Sequence, residues 1–128
     1  KYPSIEVVLD VHRDGVSDGT RLVTEIEDGD REDHVLQRDI HEPGRPHRVS
    51  SESKSQENLA FSFQMQLLAA GKYPGLTRKI YLKGLRYNEH VRARSALIEV
   101  GAQTNTYAEA KAAMMPLSDL LDQVLTGE

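Results

Sequence analysis

The chain has 128 residues, 38% of them hydrophobic, with five Tyr, two Phe and no Trp, which suits one small domain with a lean core. A net charge of −4 gives no reason to expect nucleic acid or an anionic membrane surface as partner, and no run of 18 apolar residues exists to span a bilayer. The absence of Cys removes disulfides, thiolate zinc sites and cysteine nucleophiles, and leaves the compartment open. No GxSxG, P-loop or GxGxxG pattern occurs, so serine-hydrolase and nucleotide readings have no support.

In chain order, Ile5 to Val11 (IEVVLDV) is rich in β-branched residues and predicts a strand buried on both faces. Arg21 to Ile26 alternates apolar with polar and predicts a second strand. Asn58 to Ala70 predicts a helix whose stripe is Leu59, Phe63, Leu67 and Ala70, widened by Phe61, Met65 and Leu68, with Gly71 as its stop. Tyr73-Pro74-Gly75 is a turn, Arg78 to Leu82 a short strand or loop, and Ala96 to Val100 a buried strand. Thr106 to Glu109 has the form of a capping box. The helix after it carries Ala110, Ala113, Met114, Leu117, Leu120, Leu121 and Val124, and Pro116 should kink it or start a second segment. Buried strands alternating with helices predict an α/β layered fold with a mostly parallel sheet flanked by helices.

The polar stretch Glu27 to Glu57 breaks this pattern. It holds three of the five histidines, His34, His41 and His47. Composition reads it as a solvated insertion. A shifted reading frame is the other reading, because permitted codons for Asp33 to Arg38 also allow IMFFNG and those for Arg45 to Lys54 allow GPIEYLPNPN. The gene's nucleotide sequence separates the two.

Two residues point to chemistry. His12 directly follows the apolar strand, in Asp10-Val11-His12-Arg13-Asp14, at the carboxyl end where open α/β sheets bind ligands. Carboxylates beside it can orient its second nitrogen, as a metal ligand requires, although a lone His is more often structural. Glu99 lies inside the apolar run Leu97-Ile98-Glu99-Val100. A carboxylate there must pair, bind a metal or take a proton, and the last suits a general base acting on a zinc-bound water. Catalytic zinc normally takes three protein ligands and an open position, and outside the polar stretch the chain offers only His12 and His90.

VVLDVHRDG (Val7 to Gly15), YPGLTRKI (Tyr73 to Ile80), RYNEH (Arg86 to His90) and LIEVGAQTNTYAEA (Leu97 to Ala110), in that order, resemble the stage II sporulation protein P family. The resemblance implies a zinc N-acetylmuramoyl-L-alanine amidase that cuts the amide between glycan and stem peptide during engulfment. It implies one partial amidase domain over residues 1–128, the C-terminal part of a catalytic domain that starts upstream of Lys1. His12 is then a Zn2+ ligand and Glu99 the catalytic carboxylate. Arg13, Asp14 and Asn88 match family positions around the cleft, and an earlier His and Glu supply the other ligands. Peptidoglycan as substrate, a lytic transglycosylase as partner and an extracytoplasmic, membrane-anchored location follow from the same resemblance, with the anchor upstream. Two rivals stand beside the enzyme: a non-catalytic cell-wall binding module, and a non-functional, truncated and frame-shifted remnant.

Overall fold

The computed structural model describes residues 2–26, 52–81 and 92–127. Along these the elements are β1 (Val8–Asp14), α1 (Glu52–Lys72), β2 (Ser95–Ala102), α2 (Tyr107–Ala112) and α3 (Met114–Thr126). β1 and β2 pair in parallel as a two-stranded sheet, and α1 lies between them in the chain. Parallel neighbours cannot be joined by a tight turn, so a crossover helix is the economical link. The α/β class with a parallel sheet and helices is therefore as expected.

β2 is buried at all eight positions. Ala96, Ile98 and Val100 point into one core with Phe61, Met65 and Ala69 of α1 and Leu117 and Leu120 of α3. Strand side chains alternate, so Leu97 and Glu99 face the other way. One layer of helices thus backs one face of the sheet, and the opposite face carries the residues of chemical interest.

Several sequence expectations need correction. The run Ile5 to Val11 is not buried on both faces: Ile5, which precedes β1, is 43% exposed, and Val11 within β1 is 53% exposed. Among the described residues β1 pairs only with β2, and α1 and α3 pack over β2, so the helix side of β1 is left partly open. β1 also runs on to Asp14, which puts His12 inside the strand rather than after it. Arg21 to Ile26 makes no strand beyond a single bridge at Thr24. Its alternation survives as burial, with Leu22 and Thr24 half-buried and Ile26 buried. Arg78 to Tyr81 is loop, and Leu82 lies outside the described residues.

The largest error concerns α1. The expected stripe is the exposed one, with Leu59 39%, Phe63 53% and Leu67 58% accessible. The core takes Phe61 and Met65, expected only as the widening of that stripe, together with Asn58, Ser62 and Ala69. Phe61 and Phe63 sit two residues apart, nearly half a turn around the helix, so α1 has two apolar sides. The side that wins carries Ser62 and Ala69, small enough for close approach, and Asn58, whose Oδ1 accepts from Ser95 N–H at 2.9 Å. α1 starts at Glu52, inside the polar stretch, and passes Gly71 to end at Lys72. Residues 27–51 of that stretch lie outside the described residues, and with them both readings of it.

The remaining punctuation is as the sequence predicts. Leu76 N–H donates to Tyr73 C=O at 3.0 Å across Pro74-Gly75, and Gly75 takes the positive φ of 87° that such a turn demands at its third residue. Thr106 and Glu109 form the reciprocal capping box of α2. The helical run then breaks at Ala113, and α3 starts with Pro116 buried in its first turn, where a missing N–H costs nothing.

Candidate functional site at the strand ends

The site is built by register. His12 of β1 lies directly opposite Glu99 of β2. Aligned residues on parallel neighbours project to the same face, so the imidazole and the carboxylate share the face away from the helices. Asp10 and Asp14 stand two residues either side of His12 on that face, and Asp10 lies opposite the fully buried Leu97. His12 Nε2 and Asp10 Oδ1 are 2.9 Å apart, with side chains 40% and 22% exposed. Glu99 is 8% exposed. A half-open imidazole thus stands in register with a deeply set carboxylate.

Just past this pair the strands fall out of step. Asp14 pairs with Ala102, not Gly101, so β2 carries an extra residue between the levels of His12 and Asp14. Gly101 adopts φ 62° there, a left-handed conformation that a side chain would strain. Bulges of this kind bend a strand and re-aim the side chains near it.

Arg13 points to the opposite face from His12. Its Nε and Nη2 donate to Ala102 C=O at 3.0 and 2.7 Å, and Nη2 also donates to Asn105 C=O. The guanidinium therefore ties β1 to the end of β2 across the bulge. Asn88 lies outside the described residues, as does His90.

The polar run Gln103 to Glu109 proves to be a fastener. Gln103 bonds both backbone groups of Val16, accepting from its N–H at 2.8 Å and donating to its C=O. Thr104 Oγ1 donates to Thr20 C=O. Buried Asn105 accepts from Ala102 N–H at 2.8 Å through Oδ1 and donates to Leu22 C=O at 3.1 Å through Nδ2. Glu109 binds Arg21 as well as capping α2. These side chains satisfy backbone groups of residues 16–22, a segment that turns at Ser17 to Thr20 and makes no strand ladder. Sequence reading missed Asn105 as a hub. The signal was present: four amide and hydroxyl side chains in succession directly after a buried strand.

Among the described residues, no group of three or more His, Asp or Glu gathers as a metal site would need. His12 with Asp10 suits one ligand position and does not make a site alone. Among the same residues no helix is long and apolar enough to cross a membrane.

A parallel sheet backed by helices, with an imidazole and carboxylates on its other face, defines an α/β protein with a polar strand-end site. The chain belongs to the stage II sporulation protein P (SpoIIP) family, whose model matches residues 1–122. That membership makes it a sporulation-related cell-wall protein. No curated protein and no solved structure matches the chain.

Proposed function

We propose that the chain serves peptidoglycan hydrolysis as a zinc-dependent N-acetylmuramoyl-L-alanine amidase, acting on the amide between glycan and stem peptide during sporulation. The observation that carries this reading is the pairing of His12 with Glu99 in register on one face of the sheet. Family membership supports it, since the match spans both residues.

In this reading His12 is one zinc ligand, and the others come from outside the described residues. Zinc, when bound, supplies an activated water and a polarised carbonyl. Glu99 takes a proton and returns it to the leaving amine. Its burial keeps bulk water from competing for that proton. Asp14 and Asn88 would line the cleft, and Arg13 would hold the strand ends in register. The same reading carries an extracytoplasmic location, an anchor outside these residues and a lytic transglycosylase as partner.

The test is Glu99→Gln, close in shape and without the carboxylate, in zinc-supplied full-length protein. Release of stem peptides from muropeptides should fall by roughly 10²- to 10⁴-fold, the usual contribution of general acid–base catalysis. Zinc content and thermal unfolding should stay close to wild type. Undiminished cleavage by the variant removes Glu99 from the role. Glycan binding that ignores zinc, without cleavage by the wild type, would identify a binding module instead.

A further inference from the structure

Arg13 follows His12 in the chain, and its guanidinium is committed to the backbone of the neighbouring strand. Nε and Nη2 donate to Ala102 C=O at 3.0 and 2.7 Å, and Nη2 also donates to Asn105 C=O. Ala102 C=O takes a further hydrogen bond from Asn105 N–H at 3.0 Å, while Ala102 N–H donates to Asn105 Oδ1 at 2.8 Å. The guanidinium thus closes over the turn that carries the chain out of β2. We infer that Arg13 is a positioning residue: it acts on the reaction through the backbone of β2, by setting where Glu99 stands opposite His12, and does not bind the substrate. The inference rests on the proposed roles of His12 and Glu99 and deepens them.

The place of this clamp gives it the role. Glu99, opposite His12, is the last paired residue of β2 before the register break, and Ala102, opposite Asp14, is the first one past it. The extra residue of β2 lies between these two levels, so pairing on one side does not by itself fix the other. Gly101, at φ 62°, resists change there only weakly, because glycine takes many backbone conformations at little cost. Beyond the break Gln103 N–H donates to Asp14 C=O at 3.0 Å, and the Arg13 fork adds a charged link from the same strand. A planar fork that holds one carbonyl through two nitrogens restricts direction as well as distance, which an ammonium does not. Direction matters here, since a shift of about 1 Å between reacting groups can cost about 100-fold in rate.

Backbone NMR of the metal-free full-length protein tests this without reference to the reaction. The variants are Arg13→Met, which keeps an apolar stem, and Arg13→Lys, which keeps the charge. In Arg13→Met the cross-strand proton contacts between His12 and Glu99 should weaken and the Gln103 amide should exchange faster, with Arg13→Lys between it and wild type. Cleavage of muropeptides is then measured in zinc-supplied protein, at a temperature where each variant is fully folded. The kcat of Arg13→Met should fall roughly 10- to 100-fold with KM close to wild type, and Arg13→Lys should recover part of the loss. Wild-type contacts and exchange in Arg13→Met overturn the inference. So does a raised KM with unchanged kcat, which would put the guanidinium on the substrate. If Arg13→Met does not fold, the same readings on Arg13→Lys decide. A wild type without cleavage would defeat the amidase reading, while the NMR of the variants would still decide whether Arg13 sets the strand alignment.

Discussion

β1 and β2 run side by side in register, yet they live in different surroundings. Every residue of β2 is buried, and its helix-facing side chains anchor the core. β1 alternates between half-buried and exposed from Asp10 onward. A polar residue on β1 can therefore keep contact with water, and Asp10, His12 and Asp14 are unremarkable in energetic terms. Glu99 on β2 has no such outlet, and burying a carboxylate carries a penalty that only a specific interaction offsets. A single acid in the buried strand tells more about function than three polar residues in the open one.

The sharpest way to break this contrast is to truncate one apolar residue in each strand at the same level. Val11 and Ile98 are register partners, 53% and 1% exposed. Ile98→Ala should cost about 2–5 kcal/mol of unfolding free energy, through lost transfer energy and a residual cavity. Val11→Ala should cost less than about 1 kcal/mol, in keeping with a largely solvated site. Urea unfolding of both variants measures the difference. Equal costs would mean that the helix side of β1 is as well packed as that of β2.

A smaller effect is expected where the segment around Leu22 is fastened to the end of β2. Asn105→Ala leaves the buried Ala102 N–H without its acceptor and Leu22 C=O without its donor. The expected loss is about 1–3 kcal/mol, the range for stranding a buried polar group. Amide exchange at Val16, whose N–H is held by Gln103 in the same fastener, should accelerate. An unchanged unfolding midpoint with unchanged exchange would show that residues 16–22 are held by something other than this hub.

How legible these features were in the sequence follows the range of the forces involved. Local chemistry read well. The capping box at Thr106, the turn at Pro74-Gly75 and the second helical segment around Pro116 depend on residues within one turn of each other, and all three are present. The buried strand around Ile98 was visible because it is apolar on both faces. Choices decided by distant partners read poorly. Phe61 and Phe63 are equally apolar, and the core took Phe61 because its side of α1 also carries Asn58, Ser62 and Ala69. Arg21 to Ile26 alternates as a strand should, but Gln103, Thr104 and Asn105 satisfy its neighbourhood in place of a ladder. His12 and Glu99 could each be picked out singly. Their alignment lies 87 residues apart in sequence and depends on a register that only the folded sheet supplies.

The smallest expected effect concerns the far end of α1, away from the polar face. Lys72 Nζ lies 2.7 Å from Asp119 Oδ2, the Tyr73 hydroxyl donates to the same oxygen at 2.9 Å, and Gln123 Nε2 donates to it at 3.0 Å. The hydrogen bond from Lys72, with help from Tyr73 and Gln123, holds the Asp119 carboxyl below its ordinary value of 3.8 against the opposing effect of desolvation. A carboxyl whose folded pKa is depressed contributes stability above the unfolded pKa and loses it as pH falls through the folded one. Lys72 and Asp119 are both more than a third exposed, so solvent screens the pair and the contribution at pH 7 should be only about 0.2–1 kcal/mol. Asp119→Asn should therefore lower the unfolding midpoint slightly at pH 7, and the gap to wild type should close as pH drops below about 4. In about 1 M salt the gap should also narrow, because the Debye length shrinks to roughly 3 Å. A gap that persists at low pH would mean that the carboxamide disturbs the packing of α1 against α3 by its shape, with charge playing no part.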